Sequence, residues 1–250
     1  MLTLATIVVL AYLGLCALLF LSQRALIYFP QPRSTVGQVA TITLPVDAGE
    51  VIVTVRPHVG PKALLYFGGN AEDVSYNLPS LSAAFPDHAI YLLHYRGYGG
   101  SAGSPSEAAL FADALALFDR IRAEHQNVMV VGRSLGSGVA VYLASLRPVT
   151  RLVLVTPYDS LQDLAERQFP YIPVRWLMLD RFESSKYAAQ VTAPTLLIAA
   201  EHDEIIPRAS TESLMTRFRA GVAALKVVPG AGHNTISDRP EYMPLLKGLH

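Results

Sequence analysis

Six short, mostly apolar runs recur along the chain, at residues 63–67, 90–95, 128–131, 152–155, 195–199 and 225–228. Each has the length of a strand, and none alternates with polar residues as a strand facing water would. Continuous runs of this kind belong to parallel strands buried on both faces. Longer amphipathic stretches, among them 106–123, 135–145 and 209–219, fall between them and read as helices. Repeated strand then helix predicts an α/β fold, a mostly parallel, doubly wound sheet with helices on both sides. Ahead of these runs, residues 41–46 and 51–56 alternate in period two around Asp47-Ala48-Gly49, the pattern of an antiparallel edge hairpin.

The chain of 250 residues carries 20 basic and 20 acidic side chains and no net charge, which leaves no field to hold nucleic acid. Its one cysteine, Cys16, excludes an internal disulfide framework. Only 16% of residues are charged, and mean hydropathy is +0.32. Residues 1–21 supply about two-thirds of that hydropathy, so the excess is local.

Residues 2–21 (LTLATIVVLAYLGLCALLFL) hold no charge and would cover about 30 Å as a helix, the thickness of a bilayer's hydrocarbon core. The competing readings are a buried core helix and, foremost, a cleaved signal peptide. The latter lacks a positive n-region and an A-x-A site, and Cys16 follows Leu15 rather than the small residue of a lipoprotein site. The expected division is therefore a membrane anchor at 1–23, a juxtamembrane linker at 24–40 and one α/β domain at 41–250. Arg24, Tyr28, Phe29 and Arg33 form a basic and aromatic flank suited to lipid headgroups, and the positive-inside rule puts the domain on the cytoplasmic side.

Two G-x-S-x-G motifs are present, Gly132-Arg-Ser134-Leu-Gly136 and Gly99-Gly-Ser101-Ala-Gly103. Ser134 follows an apolar run directly and is followed at once by LGSGVAVYLAS, which reads as strand, sharp turn, helix. In such an elbow the serine takes a strained backbone that lifts its Oγ above the sheet edge, and glycines two positions away avoid clashes. Ser101 lies instead in a glycine loop several residues beyond the nearest run. That loop ends in a helix start predicted with Ser104 as N-cap, Pro105 at the first position and Glu107 completing a capping box. Ser134 is the expected nucleophile.

A serine hydroxyl needs an imidazole to take its proton and a carboxylate to fix that imidazole's tautomer. Partners of an elbow serine follow it in the order acid, then histidine. His233, in the loop Pro229-Gly-Ala-Gly-His-Asn234 after the last apolar run, is the expected base. His202 adjoins the acid candidate and His250 ends the sequence, while His94 reads as a core histidine. Asp203, at the end of the 195–200 segment, is the expected acid; Asp159 competes with it, and Glu201 and Glu204 are further rivals. The run 63–67 leads into Gly68-Gly69-Asn70, so the backbone N–H groups of Asn70 and Leu135 are the expected oxyanion donors.

The stretches FGGNAEDV, HYRGYGGSAGSPSE, GRSLGSG, EHDEIIP and GAGHN, spread from about residue 63 to 234, resemble in order and spacing the BEM46-like and ABHD13-like α/β-hydrolases, a serine aminopeptidase-like group. The resemblance implies an α/β-hydrolase fold with Ser134, Asp203 and His233 as triad, and an N-terminal anchor is typical of the group. The chain departs from the group at Gly68, where histidine is usual, and at Ser137, where glycine is common.

Together these features predict a membrane-anchored serine hydrolase. It would cleave an ester, thioester or amide through an acyl-enzyme, with no metal or organic cofactor. Its expected partners are a small or acylated substrate and a lipid bilayer, not nucleic acid. The apolar residues Phe169, Tyr171, Ile172, Trp176, Leu177 and Met178 fall where a small cap would be inserted, or where a helix would pack into the core. Two other readings compete. One is a non-catalytic module of the same fold that binds a lipid or partner at the membrane. The other is a dinucleotide site at Gly97-Tyr98-Gly99 with Ala102, which fits badly because Asp119 lies inside a helix rather than ending a second strand.

Overall fold

The structure is a computed structural model that describes residues 2–34, 39–47 and 49–248. Residues 35–38 of the expected linker, Ala48 of the expected hairpin turn and His250 lie outside the described residues. The chain begins with helix α1 (Leu2–Ile27), then β1 (Thr41–Val46), β2 (Gly49–Arg56), β3 (Lys62–Phe67), α2 (Leu78–Ala84), β4 (Ala89–Leu93) and α3 (Glu107–Glu124). It continues through β5 (Asn127–Arg133), α4 (Leu135–Leu146), β6 (Arg151–Val155) and three short helices, α5 (Leu161–Gln168), α6 (Val174–Leu177) and α7 (Ser184–Tyr187). The last elements are β7 (Thr195–Ala200), α8 (Arg208–Met215), β8 (Ala223–Val228) and α9 (Tyr242–Lys247).

The eight strands form one sheet in the order β1-β2-β4-β3-β5-β6-β7-β8. Only β2 runs against the others: β1 pairs antiparallel with β2, β2 pairs antiparallel with β4, and every later pairing is parallel. The apolar runs are continuous because both faces are covered. On β3 and β5, Leu65, Phe67, Val128 and Val130 enter one core with α3 and α4, while Leu64, Tyr66, Met129 and Val131 enter a second core with α2 and α9. Alternate residues of one strand thus serve opposite cores, and a polar residue at either position would be buried.

The start of α3 differs from expectation. Ser106, not Ser104, is the N-cap, its side chain accepting the Ala109 amide at 3.2 Å. Glu107 does not close a capping box because its carboxylate is occupied elsewhere: it accepts the amides of Arg181 at 2.7 Å and Phe182 at 3.0 Å. It therefore ties the segment between β6 and β7 to α3, and burial raises its pKa.

Helix α1 continues to Ile27, so the first residues of the expected linker are helical. Thr3–Ile27 is the one helix among the described residues long and apolar enough to cross a membrane. The basic and aromatic flank is divided by burial. Arg24 is half exposed and Phe29 is exposed, but Tyr28 is buried, packed edge-on to Phe182 with its hydroxyl donating to Asp180 at 3.2 Å. Tyr28 is turned inward because the buried carboxylate of Asp180 needs donors, and Arg24 Nε supplies the other at 3.0 Å.

Candidate active site

Chemistry-bearing residues collect at the carboxyl ends of the parallel strands, where loops are free to meet above the sheet. Asn70 follows β3, Ser134 follows β5, Asp203 follows β7 and His233 follows β8. Ser134 has φ 49° and ψ −118°, a left-handed region that a serine enters only when its surroundings force it. The turn is held from both sides: the Ser134 amide donates to the Val155 carbonyl at 2.9 Å, and the Ser134 carbonyl accepts Ser137 Oγ at 2.6 Å. Ser137, where glycine is common in the resembling group, thus braces the elbow. The two elbow glycines admit no side chain. A Cβ on Gly132 would lie 2.4 Å from the Gly136 carbonyl oxygen, and one on Gly136 would lie 2.2 Å from that of Phe67.

The structure brings Ser134, His233 and Asp203 together. His233 Nε2 lies 2.9 Å from Ser134 Oγ, and His233 Nδ1 lies 3.0 Å from each Asp203 carboxylate oxygen. The His233 and Asp203 side chains are each 5% exposed, so water does not compete for their contact. Asp203 is itself fixed, Oδ1 accepting the amides of Ile205 and Ile206 at 3.0 and 2.7 Å. Glu204 accepts the backbone N–H of His233 at 3.1 Å, a contact that lowers its pKa and anchors the histidine loop to the turn carrying Asp203.

The other candidates are placed elsewhere. Asp159 is buried against Ser210 Oγ and the Ser160 amide, Glu201 accepts the Gly230 amide, and His202 is exposed. Ser101 is a loop fastener: its Oγ donates to the His94 carbonyl and accepts the Ile52 amide. His94 is 2% exposed with Nε2 2.9 Å from Thr54 Oγ1, and burial pulls its imidazole down to about 4.

Asn70 and Leu135 both line the cavity in front of Ser134, and neither amide has a protein acceptor among the described residues. The Asn70 carbonyl is clamped by the Phe29 amide at 3.0 Å and by Tyr98 Oη at 2.6 Å, and its side chain donates to the Ile27 carbonyl at 3.1 Å. The end of α1 and the residues just after it therefore hold Asn70 through its side chain and its carbonyl.

Sequence reasoning missed Glu72 and Arg133. Glu72 Oε2 accepts the Gly69 amide at 2.7 Å and pairs with Arg133 at 3.3 Å, while Oε1 accepts Tyr66 Oη at 2.7 Å and Asn77 Nδ2 at 2.6 Å. Burial draws the Arg133 guanidinium down, but Glu72, Tyr66 and Tyr242 together outweigh it and the net shift is upward. Both residues stood in quoted motifs, FGGNAEDV and GRSLGSG, where a charge beside a glycine turn was the available signal.

The cavity has a volume of about 780 Å³. Ser134, His233, Asn70 and Leu135 meet there with side chains from the 161–178 segment and from α1. Among the described residues no three His, Cys, Asp or Glu side chains are grouped to hold a metal ion.

Residues 62–182 match the family model described as alpha/beta hydrolase fold. An uncharacterised protein of Mycobacterium tuberculosis is 36% identical, the match covering 91% of this chain and 86% of that one. Protein bem46 of Schizosaccharomyces pombe is 30% identical over 58% of this chain and 52% of its own length. Human alpha/beta hydrolase domain-containing protein 17B is 31% identical over 74% and 64%. Among solved structures, an esterase from Pyrococcus furiosus superposes with a TM-score of 0.71 at 14% identity, covering 89% of this chain and 96% of that one. A putative hydrolase from Agrobacterium vitis gives 0.65 at 17% identity, over 84% and 97%. With its sheet order, its elbow at Ser134 and these relatives, the chain belongs to the α/β-hydrolase family, in its BEM46-like group.

Proposed function

We propose that this protein is a membrane-anchored serine hydrolase acting on an ester, thioester or amide. The observation that carries the reading is the continuous relay from Asp203 through His233 to Ser134, with contacts of 3.0 and 2.9 Å. Ser134 Oγ attacks the substrate carbonyl while His233 Nε2 takes its proton, and Asp203 holds the imidazole in the tautomer that leaves Nε2 free to accept. The negative charge that develops on the carbonyl oxygen is met by the amides of Asn70 and Leu135, the latter at the first turn of α4, where the helix dipole adds to the attraction. His233 then protonates the leaving group, and water activated by the same imidazole releases the acyl group from Ser134. Helix α1, with the Arg24 and Phe29 flank, holds this domain at a bilayer.

The test is labelling by a fluorophosphonate probe, using the full chain in detergent. Wild-type protein is expected to form one adduct, and Ser134→Ala is expected to lose it while Ser101→Ala keeps it. Retention of the adduct in Ser134→Ala, with loss in Ser101→Ala, overturns the assignment.

A further inference from the structure

The segment between β6 and β7 does not sit over the cavity alone; it climbs along α1. Tyr12 Oη donates to the Tyr171 carbonyl at 2.8 Å, Gln23 bonds the Leu177 carbonyl at 3.2 Å and the Leu179 amide at 2.7 Å, and Arg24 pairs with Asp180. From Tyr12 to Arg24 is about 18 Å of helix. Cys16 is buried and Leu19, Gln23 and Ile27 are half-buried along one side of the helix, whereas Ile7, Leu10, Leu18 and Leu21 are exposed. Only about 15 Å of α1, residues 2–12, projects beyond this segment, half of the roughly 30 Å hydrocarbon core.

A helix docked in this way cannot fill a bilayer while its partner segment stays in water. The segment's surface agrees: Tyr171 and Trp176 are each 87% exposed, with Leu179, Phe169 and the basic Arg167 and Arg175 exposed near them. Aromatic and apolar side chains beside arginines are the composition of a lipid interface. The helix also forms part of the cavity wall. Leu19, Phe20, Leu26 and Ile27 line it together with Ser134 and His233, and the carboxylate and guanidinium in its lining, Glu72 and Arg133, are paired with each other. Such a wall suits a neutral alkyl chain.

We infer that the tip around Tyr171 and Trp176 is inserted in the lipid leaflet beside α1, and that the cavity takes the acyl chain of a bilayer-anchored long-chain ester or thioester from that leaflet, between α1 and the tip. The chemistry rests on the serine-hydrolase reading; the insertion does not. The balance is that of acyl transfer to water: the acyl C–O or C–S bond breaks, the carbonyl carbon gains the oxygen of water, and the alcohol or thiol leaves with a proton.

Trp176 is the single tryptophan of the chain, so its fluorescence reports on the tip alone. In the full-length protein reconstituted in phosphatidylcholine vesicles, acyl chains carrying bromine are expected to quench it and aqueous acrylamide to leave it bright. Quenching by acrylamide with none by bromolipid overturns the insertion. For the substrate, Leu19→Trp is expected to lower the ratio of long-chain to butyrate ester turnover by about tenfold or more, because it fills the wall that the chain must cross. An unchanged ratio overturns the acyl path. A phospholipid and an S-acylated peptide, each offered in the same vesicles, distinguish the two sources of such a chain. Release from either supports the inference, and release from neither while butyrate ester is cleaved overturns it. Failure of the wild type to cleave butyrate ester or take the phosphonate probe would instead remove the hydrolase reading, leaving the Trp176 measurement to stand by itself.

Discussion

One carboxylate oxygen of Glu72 accepts the amide of Gly69 at 2.7 Å, one residue ahead of Asn70, which lines the cavity. The same carboxylate receives Arg133, Tyr66 and Asn77, so four donors converge on two oxygens. Glu72 is a positioning residue for the Asn70 peptide. Glutamine in its place has one acceptor oxygen and brings two N–H donors into a ring of donors, so the loop must shift to relieve them. Glu72→Gln is expected to lower kcat on a soluble ester by roughly 10- to 100-fold, less than the roughly 10²- to 10³-fold typical of losing an oxyanion donor outright. KM should change little. A kcat within twofold of wild type would show that the loop keeps its shape without this charge.

Gly136 separates two effects of adding a methyl group. Its Cβ would press on the Phe67 and Gly68 carbonyl oxygens at 2.2 and 2.6 Å, and backbone there cannot swing aside as a side chain can. Gly136→Ala is expected to cost about 1–3 kcal/mol and to abolish probe labelling by displacing Ser134. Gly14→Ala, in α1 with nothing within 4 Å of the added carbon, should leave both unchanged or stabilise slightly. Thermal unfolding midpoints in detergent, set beside labelling rates, make the comparison.

What the sequence made legible and what it hid divide along the range of the interactions. The runs that became β3, β5, β6 and β7 were readable because both faces of each strand are apolar, a property written in five or six consecutive residues. The elbow was readable because its glycines flank Ser134 within two positions. The role of Tyr28 was not, since the carboxylate that turns it inward is Asp180, far along the chain. For the same reason Glu107 passed for half of a capping box: the amides that occupy it belong to Arg181 and Phe182. Local pattern identifies elements, while the docking of α1 depends on pairings across some 150 residues that no local pattern displays.

Asp180 is the polar pin of that docking. Its side chain is 5% exposed and accepts Arg24 Nε and Tyr28 Oη, so its removal leaves a buried hydroxyl unpaired and frees a half-exposed guanidinium. Asp180→Ala is expected to destabilise the full chain by about 1–3 kcal/mol, mostly through Tyr28, because Arg24 regains water. The paired variant Asp180→Ala with Tyr28→Phe should recover part of that loss. A thermal midpoint no higher in the double variant than in Asp180→Ala would assign the cost to packing instead of the orphaned hydroxyl.

His94 makes stability depend on pH in a window set by its own burial. In the folded protein its imidazole titrates at about 4, against 6.5 in an exposed histidine, because burial disfavours the charged form beside Thr54. Above pH 6.5 both folded and unfolded chains carry it neutral, and its contribution is at its most favourable. As the pH falls below 6.5 the unfolded chain takes up a proton that the folded one refuses, so stability declines until the folded form also titrates near 4. The difference between 6.5 and about 4 corresponds to about 3 kcal/mol when the full window is crossed. His94→Gln keeps a side chain able to bond Thr54 but cannot titrate. Its thermal midpoint is therefore expected to fall less than that of wild type between pH 7.5 and pH 5. Parallel losses in the two proteins over that interval would place the acid sensitivity on other groups.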